Sequence, residues 1–251
     1  MPLLFLVRHG RTTANASGVL AGWTPGVLLD DVGQQQAEAT AARLAAVPLA
    51  AVIASPLERT RQTAEVIADA QGSQRLKSPR GPRGPRGPRG PQSSVARHID
   101  ERIGECRYGR WEGRSLKTLA KEPLWAAVQA HPSSVTFPGG ESMLAMQHRA
   151  VQAVRDWNAQ LGEHSCYAMV SHGDVIKAII ADALGMHLDQ FQRITVDPCS
   201  VSVIRYTPMR PFVVRTNDVG GDLSSFVPKG SSTRRRKGAS SDAAVGGGAG
   251  G

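Results

Sequence analysis

Leu3-Leu4-Phe5-Leu6-Val7 is an unbroken apolar run that stops abruptly at Arg8-His9-Gly10. A run this short and this uniformly apolar fits a strand buried on both faces, as in a parallel sheet covered by helices. The pattern recurs at 50–54, which leads into Ser55, and at 167–171, which leads into His172-Gly173-Asp174. Segments with helical spacing lie between these runs. One follows Asp30-Asp31, carries Val32, Ala37, Ala41 and Leu44, and stops at Pro48. A second is expected to start with Ser55 as N-cap and Pro56 in the first helical position, and to run to about Ala70. Further helices are expected near 115–130, from Glu141 to about Leu161, and from Val175 to Leu184, where Gly185 ends the last one. Further strands are expected at 193–197, 200–206 and 211–216, and Gly18, Gly22, Pro25 and Gly26 mark an irregular loop. This alternation predicts an α/β fold, three layers (α/β/α) around a mainly parallel central sheet.

The chain has 251 residues, 41% of them hydrophobic, which is enough for one domain with a sizeable core. Its net charge of +9 would suggest a nucleic-acid partner if it were spread over one face. It is not. Residues 75–97 hold seven cations and no acid, and residues 222–251 hold five cations against two acids, so the rest of the chain is close to neutral. The first segment contains four Pro-Arg-Gly triplets within 78–91, and the second is rich in Ser, Gly and Arg. Neither composition can bury a core, so both are expected to be disordered. The expected organisation is one domain over 1–221, with a disordered insertion at about 75–95 and a tail from 222. A nucleic-acid partner is not expected. Cys106, Cys166 and Cys199 are three in number and lack metal-type spacing, which argues against a disulfide framework or a zinc site. The opening apolar run is too short for a signal peptide or a membrane span, so a cytoplasmic location and no membrane partner are expected.

Ligands of open α/β sheets gather at the carboxyl ends of the strands. Here those ends carry Arg8 and His9, then Ser55 with Arg59 just beyond, then His172. One histidine would be unremarkable. Two that each close an apolar run, each followed by glycine, point to a site, because glycine lets a ligand or a backbone approach closely. Guanidinium groups match phosphate oxygens and stay charged, and a neutral imidazole is a competent nucleophile near neutral pH. Fixed cations can stabilise a transferring phosphoryl group, so no metal and no cofactor are required. Taken alone, these residues indicate a phosphate-binding cluster and not a particular reaction.

Five blocks make the pattern specific. Leu6-Val7-Arg8-His9-Gly10-Arg11-Thr12 with Asn15 resembles the signature of the histidine phosphatase superfamily, which includes the phosphoglycerate mutases. Ser55-Pro56-Leu57-Glu58-Arg59-Thr60-Arg61-Gln62-Thr63-Ala64 is similar to its second block, and Glu105 to Gly113 to its third. Phe137-Pro138-Gly139-Gly140-Glu141-Ser142 and Ser171-His172-Gly173-Asp174 resemble the last two, in the same order. The resemblance covers about residues 3–217 and implies a phosphoglycerate mutase-like fold. It implies that His9 is the nucleophile, that Arg8, Arg59 and His172 bind the transferring phosphoryl group, and that Asn15 is an extra donor. It further implies that Glu105 is the general acid and then the general base. Asp174, next to His172, is a rival proton donor. Arg11 is read as either pocket or surface, Glu112 as structural, and Trp23, Trp125 and Phe191 as packing residues that could also shape an apolar wall.

The expected function is metal-independent hydrolysis of a small phosphorylated metabolite through a phosphohistidine. A phosphomutase is the alternative, and a silent binding module the remote one. Hydrolysis is preferred because the segment after Glu105 passes quickly to Trp111-Glu112-Gly113 and so resembles the phosphatase-like members of the family more than the sugar-acid mutases, whose corresponding region carries longer insertions. A homodimer is compatible with such a domain. Deleting both 78–91 and 222–251 should leave phosphatase activity intact while abolishing retention on immobilised nucleic acid. Retention that survived both deletions would overturn the charge argument.

Overall fold

The opening apolar run occupies the middle of a six-stranded sheet. In the computed structural model, which describes residues 1–77 and 95–220, this strand is β1 (Leu3–Arg8). The Pro-Arg-Gly triplets and the tail from 222 lie outside the described residues. After β1 come a short helix α1 (Thr13–Ser17), α2 (Asp31–Leu44), β2 (Ala51–Ala54), α3 (Glu58–Lys77) and β3 (Ala96–Ile99). Then follow α4 (Leu116–Leu119), α5 (Pro123–Ala130), α6 (Met143–Leu161), β4 (Cys166–Ser171), α7 (Gly173–Ala183), β5 (Val201–Tyr206) and β6 (Pro211–Asp218).

The strand order is β3-β2-β4-β1-β5-β6. Strands β1 to β4 are mutually parallel, and β5 runs antiparallel to both of its neighbours. Side chains alternate across β1. Leu4 and Leu6 pack with Met146, Ala150 and Val154 of α6 and with Ile176, Ile179 and Ile180 of α7. Phe5 and Val7 pack with Ala41 and Leu44 of α2 and with Ala64, Ile67 and Ala68 of α3. Both faces are covered, which is why the strand reads as continuously apolar.

This arrangement makes the junction between β1 and β4 a switch point. The chain leaves β1 toward α2 on one face, and leaves the adjacent β4 directly into α7 on the other. A crevice opens where neighbouring strands send their chains to opposite faces. The register pairs Arg8 with Ser171, so His9 and His172 emerge side by side just past the strand ends.

Some expected elements differ. The stretch 193–197 is not a strand. A 3-10 turn at Leu188–Arg193 leads into irregular backbone, with the Val196 carbonyl turned to accept from Arg8 and the Asp197 N–H bound by Asn217. The helix expected at 115–130 is two helices, because Pro123 starts α5 anew at its N-terminal position. Helix α3 begins at Glu58 and not at Pro56; the Ser55 hydroxyl accepts from the Leu57 N–H at 3.4 Å and is shared with His172. The loop after Gly10 contains α1, held by a Thr12/Asn15 capping box. Edge strand β3 was not expected; its Ala96, Arg97 and Ile99 are exposed and leave no apolar run to read.

Gly10 owes its identity to backbone. A Cβ there would sit 2.4 Å from the Gly33 carbonyl oxygen, and one on Gly33 would sit 2.0 Å from that of Arg11. The first turn of α2 therefore presses directly on the chain leaving β1. Leu6 is fully buried at the centre of the sheet. Leu6→Ala should lower the unfolding free energy in urea by about 2–5 kcal/mol. A loss below about 1 kcal/mol would show that the centre of β1 is not tightly packed.

Candidate active site

His9 follows β1 and its backbone N–H donates to the Ser171 carbonyl at 3.0 Å, so the neighbouring strand holds it in place. The rings of His9 and His172 lie 5.2 Å apart between centroids, inclined by 59°. Arg8, His9, Arg59, Glu105 and His172 are all buried. The structure thus brings these five expected residues to one end of the sheet.

The hydrogen bonds fix the tautomers. His9 Nδ1 is 2.7 Å from the Gly10 carbonyl, which can only accept, so Nδ1 carries the proton and Nε2 presents its lone pair. Arg59 Nη2, which can only donate, lies 3.3 Å from His172 Nδ1 and 2.8 Å from the Gly22 carbonyl. His172 Nε2 must then carry the proton, and it donates to the Ser55 hydroxyl at 2.8 Å. Burial first, then the charges of Arg59 and Arg8, hold the His9 imidazolium well below the ordinary range. Burial likewise, then Arg59 and His9, holds His172 well below it. Both rings are therefore neutral near neutral pH, the state a nitrogen nucleophile requires.

Arg59 Nη1 is buried and has no hydrogen-bond partner among the described residues. An unsatisfied buried donor on a charged group is costly, and a phosphoryl oxygen would satisfy it. Arg8 is anchored through Nη1 to the Val196 carbonyl at 2.8 Å. Arg59 is in turn steadied along α3, where its carbonyl accepts from Thr63, whose hydroxyl accepts from the Gly10 N–H at 3.2 Å.

Glu105 is carried by a loop, opposite these cations. One carboxylate oxygen accepts from the Cys106 N–H at 3.0 Å, and the other lies 3.9 Å from His172 Nδ1. Burial, followed by the charge of Asp174, pushes the Glu105 carboxyl up to about 7 against the opposing pull of Arg59 and Arg8. A carboxyl poised there can give up a proton and take one back near neutral pH. Asp174 is placed otherwise. Its Oδ2 accepts from the Tyr108 hydroxyl at 2.8 Å, and its Oδ1 is 3.9 Å from Lys177 Nζ. Asp174 thus has Tyr108 and Lys177 as near neighbours, whereas the carboxylate oxygen of Glu105 is the one beside His172.

The remaining expected residues sort by their contacts. Asn15 Oδ1 accepts from both the N–H and the hydroxyl of Thr12, which leaves its amide N–H groups as donors. Arg11 is half-buried and pairs with Asp30 at 2.8 Å. Glu112 accepts from the Tyr108 N–H, a structural bond. Trp125 and Phe191 are core residues. Trp23 is half-buried and donates from Nε1 to the Glu105 carbonyl at 2.6 Å. Sequence reasoning missed the bond from His172 to Ser55, because Ser-Pro before a helix reads as a cap. It also missed Trp23 and Arg149 as supports of the Glu105 loop, because nothing in their spacing points to it. Among the described residues, no group of three His, Cys, Asp or Glu side chains could hold a metal ion, and no helix is long and apolar enough to cross a membrane.

Comparison with known proteins gives the family and the fold. The family model of the histidine phosphatase superfamily (branch 1) matches residues 4–80 and 90–219, parting only within the Pro-Arg-Gly triplets. A probable phosphoglycerate mutase GpmB of Erwinia tasmaniensis is 34% identical over 201 residues, covering 79% of this chain and 82% of that protein. Among solved structures, Bacillus stearothermophilus YhfR has a TM-score of 0.74 at 26% identity and covers 88% of this chain and 98% of its own. Phosphoserine phosphatase of Entamoeba histolytica, solved with 3-phosphoglyceric acid, shares the fold with a TM-score of 0.70 at 22% identity, covering 87% of this chain and 98% of that one. The chain belongs to the histidine phosphatase superfamily, branch 1, and is an enzyme of phosphatase or phosphoglycerate mutase type.

Proposed function

We propose that the protein hydrolyses small phosphomonoesters through a phosphohistidine at His9, and that it does so without a metal or cofactor. The observation that carries this reading is the His9 tautomer. Its Nδ1–H is spent on the Gly10 carbonyl, which leaves the lone pair on Nε2, in a ring buried with Arg8, Arg59, His172 and Glu105 at the same end of the sheet. In the first step Nε2 attacks phosphorus, the ester P–O bond breaks, and the leaving oxygen takes the proton of the Glu105 carboxyl. In the second step the Glu105 carboxylate takes a proton from water, whose oxygen attacks the phosphohistidine and releases phosphate. Glu105 and His9 return to their starting states. Arg8 and Arg59 bind the phosphoryl oxygens throughout, with the Asn15 amide as a further donor. His172 joins them when the bound phosphate dianion draws a proton onto its Nδ1, since its Nε2–H stays with Ser55.

The substrate class follows from the same charges. With Glu105 protonated, the buried guanidiniums of Arg8 and Arg59 outweigh the remaining acid, Asp174, whose own partners are Tyr108 and Lys177. A compact phosphate dianion suits such a pocket. The fold-mate solved with 3-phosphoglyceric acid supports a small phosphorylated metabolite as ligand.

Phosphomutase activity is the second reading, favoured by the GpmB relatives. A mutase must keep water from the phosphohistidine while the substrate turns. The segment after Glu105 instead goes straight into the core through Tyr108 and Trp111, both buried, and adds no lobe between 105 and 113. That favours hydrolysis.

His9→Ala should lose turnover of both alkyl and aryl phosphates while keeping its fold by circular dichroism. Full activity in that variant would rule out the mechanism. For an unactivated alkyl phosphate, kcat/KM should fall as pH rises through about 7, where Glu105 loses the proton it must donate. Glu105→Gln should lower that rate by roughly 10²–10⁴-fold and remove this limb of the profile. An unchanged limb in the variant would assign the proton to another group.

A further inference from the structure

The segment that delivers Glu105 has little regular structure of its own. A 3-10 turn at Glu101–Ile103 gives way to irregular backbone before the next turn at Gly109–Trp111. The histidines are aimed by strand ladders, whereas Glu105 has none. Its direction must come from side chains that bind its backbone.

One arginine supplies most of that. Arg149 lies in the second turn of α6, and its Nη1 donates to the carbonyls of Arg102 at 2.6 Å and Gly104 at 2.8 Å. Its Nη2 donates to the carbonyl of Glu105 itself at 2.9 Å. The same guanidinium is gripped from behind by Glu141, at 3.0 Å through Nε and 2.6 Å through Nη2. Glu141 also takes hold of the segment downstream. Its carboxylate accepts from the Arg107 N–H at 2.8 Å, and its own N–H donates to the Arg107 carbonyl at 2.8 Å. The backbone is thus tied immediately before Glu105 and again two residues after it. Gly140 permits the closure, since a Cβ there would lie 2.0 Å from the Arg107 carbonyl oxygen. This gives the Phe137-Pro138-Gly139-Gly140-Glu141-Ser142 block a task that the chemistry alone did not assign it.

An isolated, partly exposed ion pair would contribute little. Here the side chains are 21% and 15% exposed, the pairing is bidentate, and the guanidinium spends its other hydrogens on three carbonyls of the loop. Such a fork fixes geometry in a way a lysine cannot.

We infer that Arg149, locked by its pair with Glu141, is a positioning residue that sets the reach of the Glu105 carboxyl toward the leaving oxygen. This inference rests on the reading of Glu105 as the general acid. It predicts a defect that depends on the leaving group. An alkoxide must be protonated as it departs, whereas a nitrophenolate departs readily without a proton.

The test compares kcat/KM for glycerol 2-phosphate and for 4-nitrophenyl phosphate in the full-length protein. Misplacing a reacting group by about 1 Å can cost roughly 10²-fold. Arg149→Met should therefore lower the alkyl-to-aryl ratio by about 10²-fold, with kcat falling more than KM rises. Arg149→Lys, which keeps the charge beside Glu141 but not the fork, should lower the ratio in the same direction and serves if the Met variant folds poorly. In a Glu105→Gln background, neither substitution should lower the ratio further. Equal losses on both substrates, or a ratio change that adds to that of Glu105→Gln, would overturn the inference and leave Arg149 a purely structural residue. If Glu105→Gln alone leaves the ratio unchanged, the reading of Glu105 as the acid fails first and the inference falls with it.

Discussion

The parallel pairing of β1 with β4 is the constraint on which the site depends. It sets Arg8 beside Ser171, so the next residue of each strand is a histidine, and the His9 N–H binds the Ser171 carbonyl. Two imidazoles then stand about one ring apart without any loop having to bring them together. The chain turns from β1 toward one face and from β4 toward the other, which opens the crevice in which phosphate chemistry can occur. A slip of one residue in this register would turn Leu4 and Leu6 toward the wrong layer, so the hydrophobic core and the active site fix the same geometry.

Electrostatics builds on that frame. Burying two arginines is unfavourable unless they are matched, and the match here is deliberately incomplete. Glu105 and Asp174 face the cations, but burial and mutual repulsion push the Glu105 proton affinity up toward neutrality. Asp174 is engaged by the Tyr108 hydroxyl and lies close to Lys177. What is left is a surplus of fixed positive charge with one idle buried donor, Arg59 Nη1, and a proton available opposite. Two neutral imidazoles share this space because the same burial and the same guanidiniums disfavour their protonation.

Legibility from sequence followed the source of each residue's placement. His9, Arg8 and His172 were readable because buried parallel strands are continuous apolar runs and their ends mark the site. The two-faced burial behind the three-layer fold was readable for the same reason. Ser55 reads only as a cap because Ser-Pro before a helix is a local signal; its hydroxyl does accept from the Leu57 N–H, but it is also bound to His172, a long-range partner with no local signature. The run at 193–197 looked like a strand, yet its carbonyl at Val196 is drawn to Arg8, a long-range contact without local signature. Strand β3 escaped notice because an exposed edge strand with Arg97 and His98 has no apolar face to display. Arg149 was silent because a charged residue on an amphipathic helix ordinarily faces water, and only the folded loop shows what it holds.

The tautomer of His9 is the central claim, because it selects one of two ring nitrogens as the nucleophile. The direct measurement is to trap the phosphoenzyme by rapid alkaline quench during turnover, digest it, and identify the phosphorylated atom by mass spectrometry and ³¹P NMR. The account predicts a single phosphohistidine at His9 with phosphorus on Nε2. Phosphorus on Nδ1, on another residue, or on no residue during active turnover would contradict it.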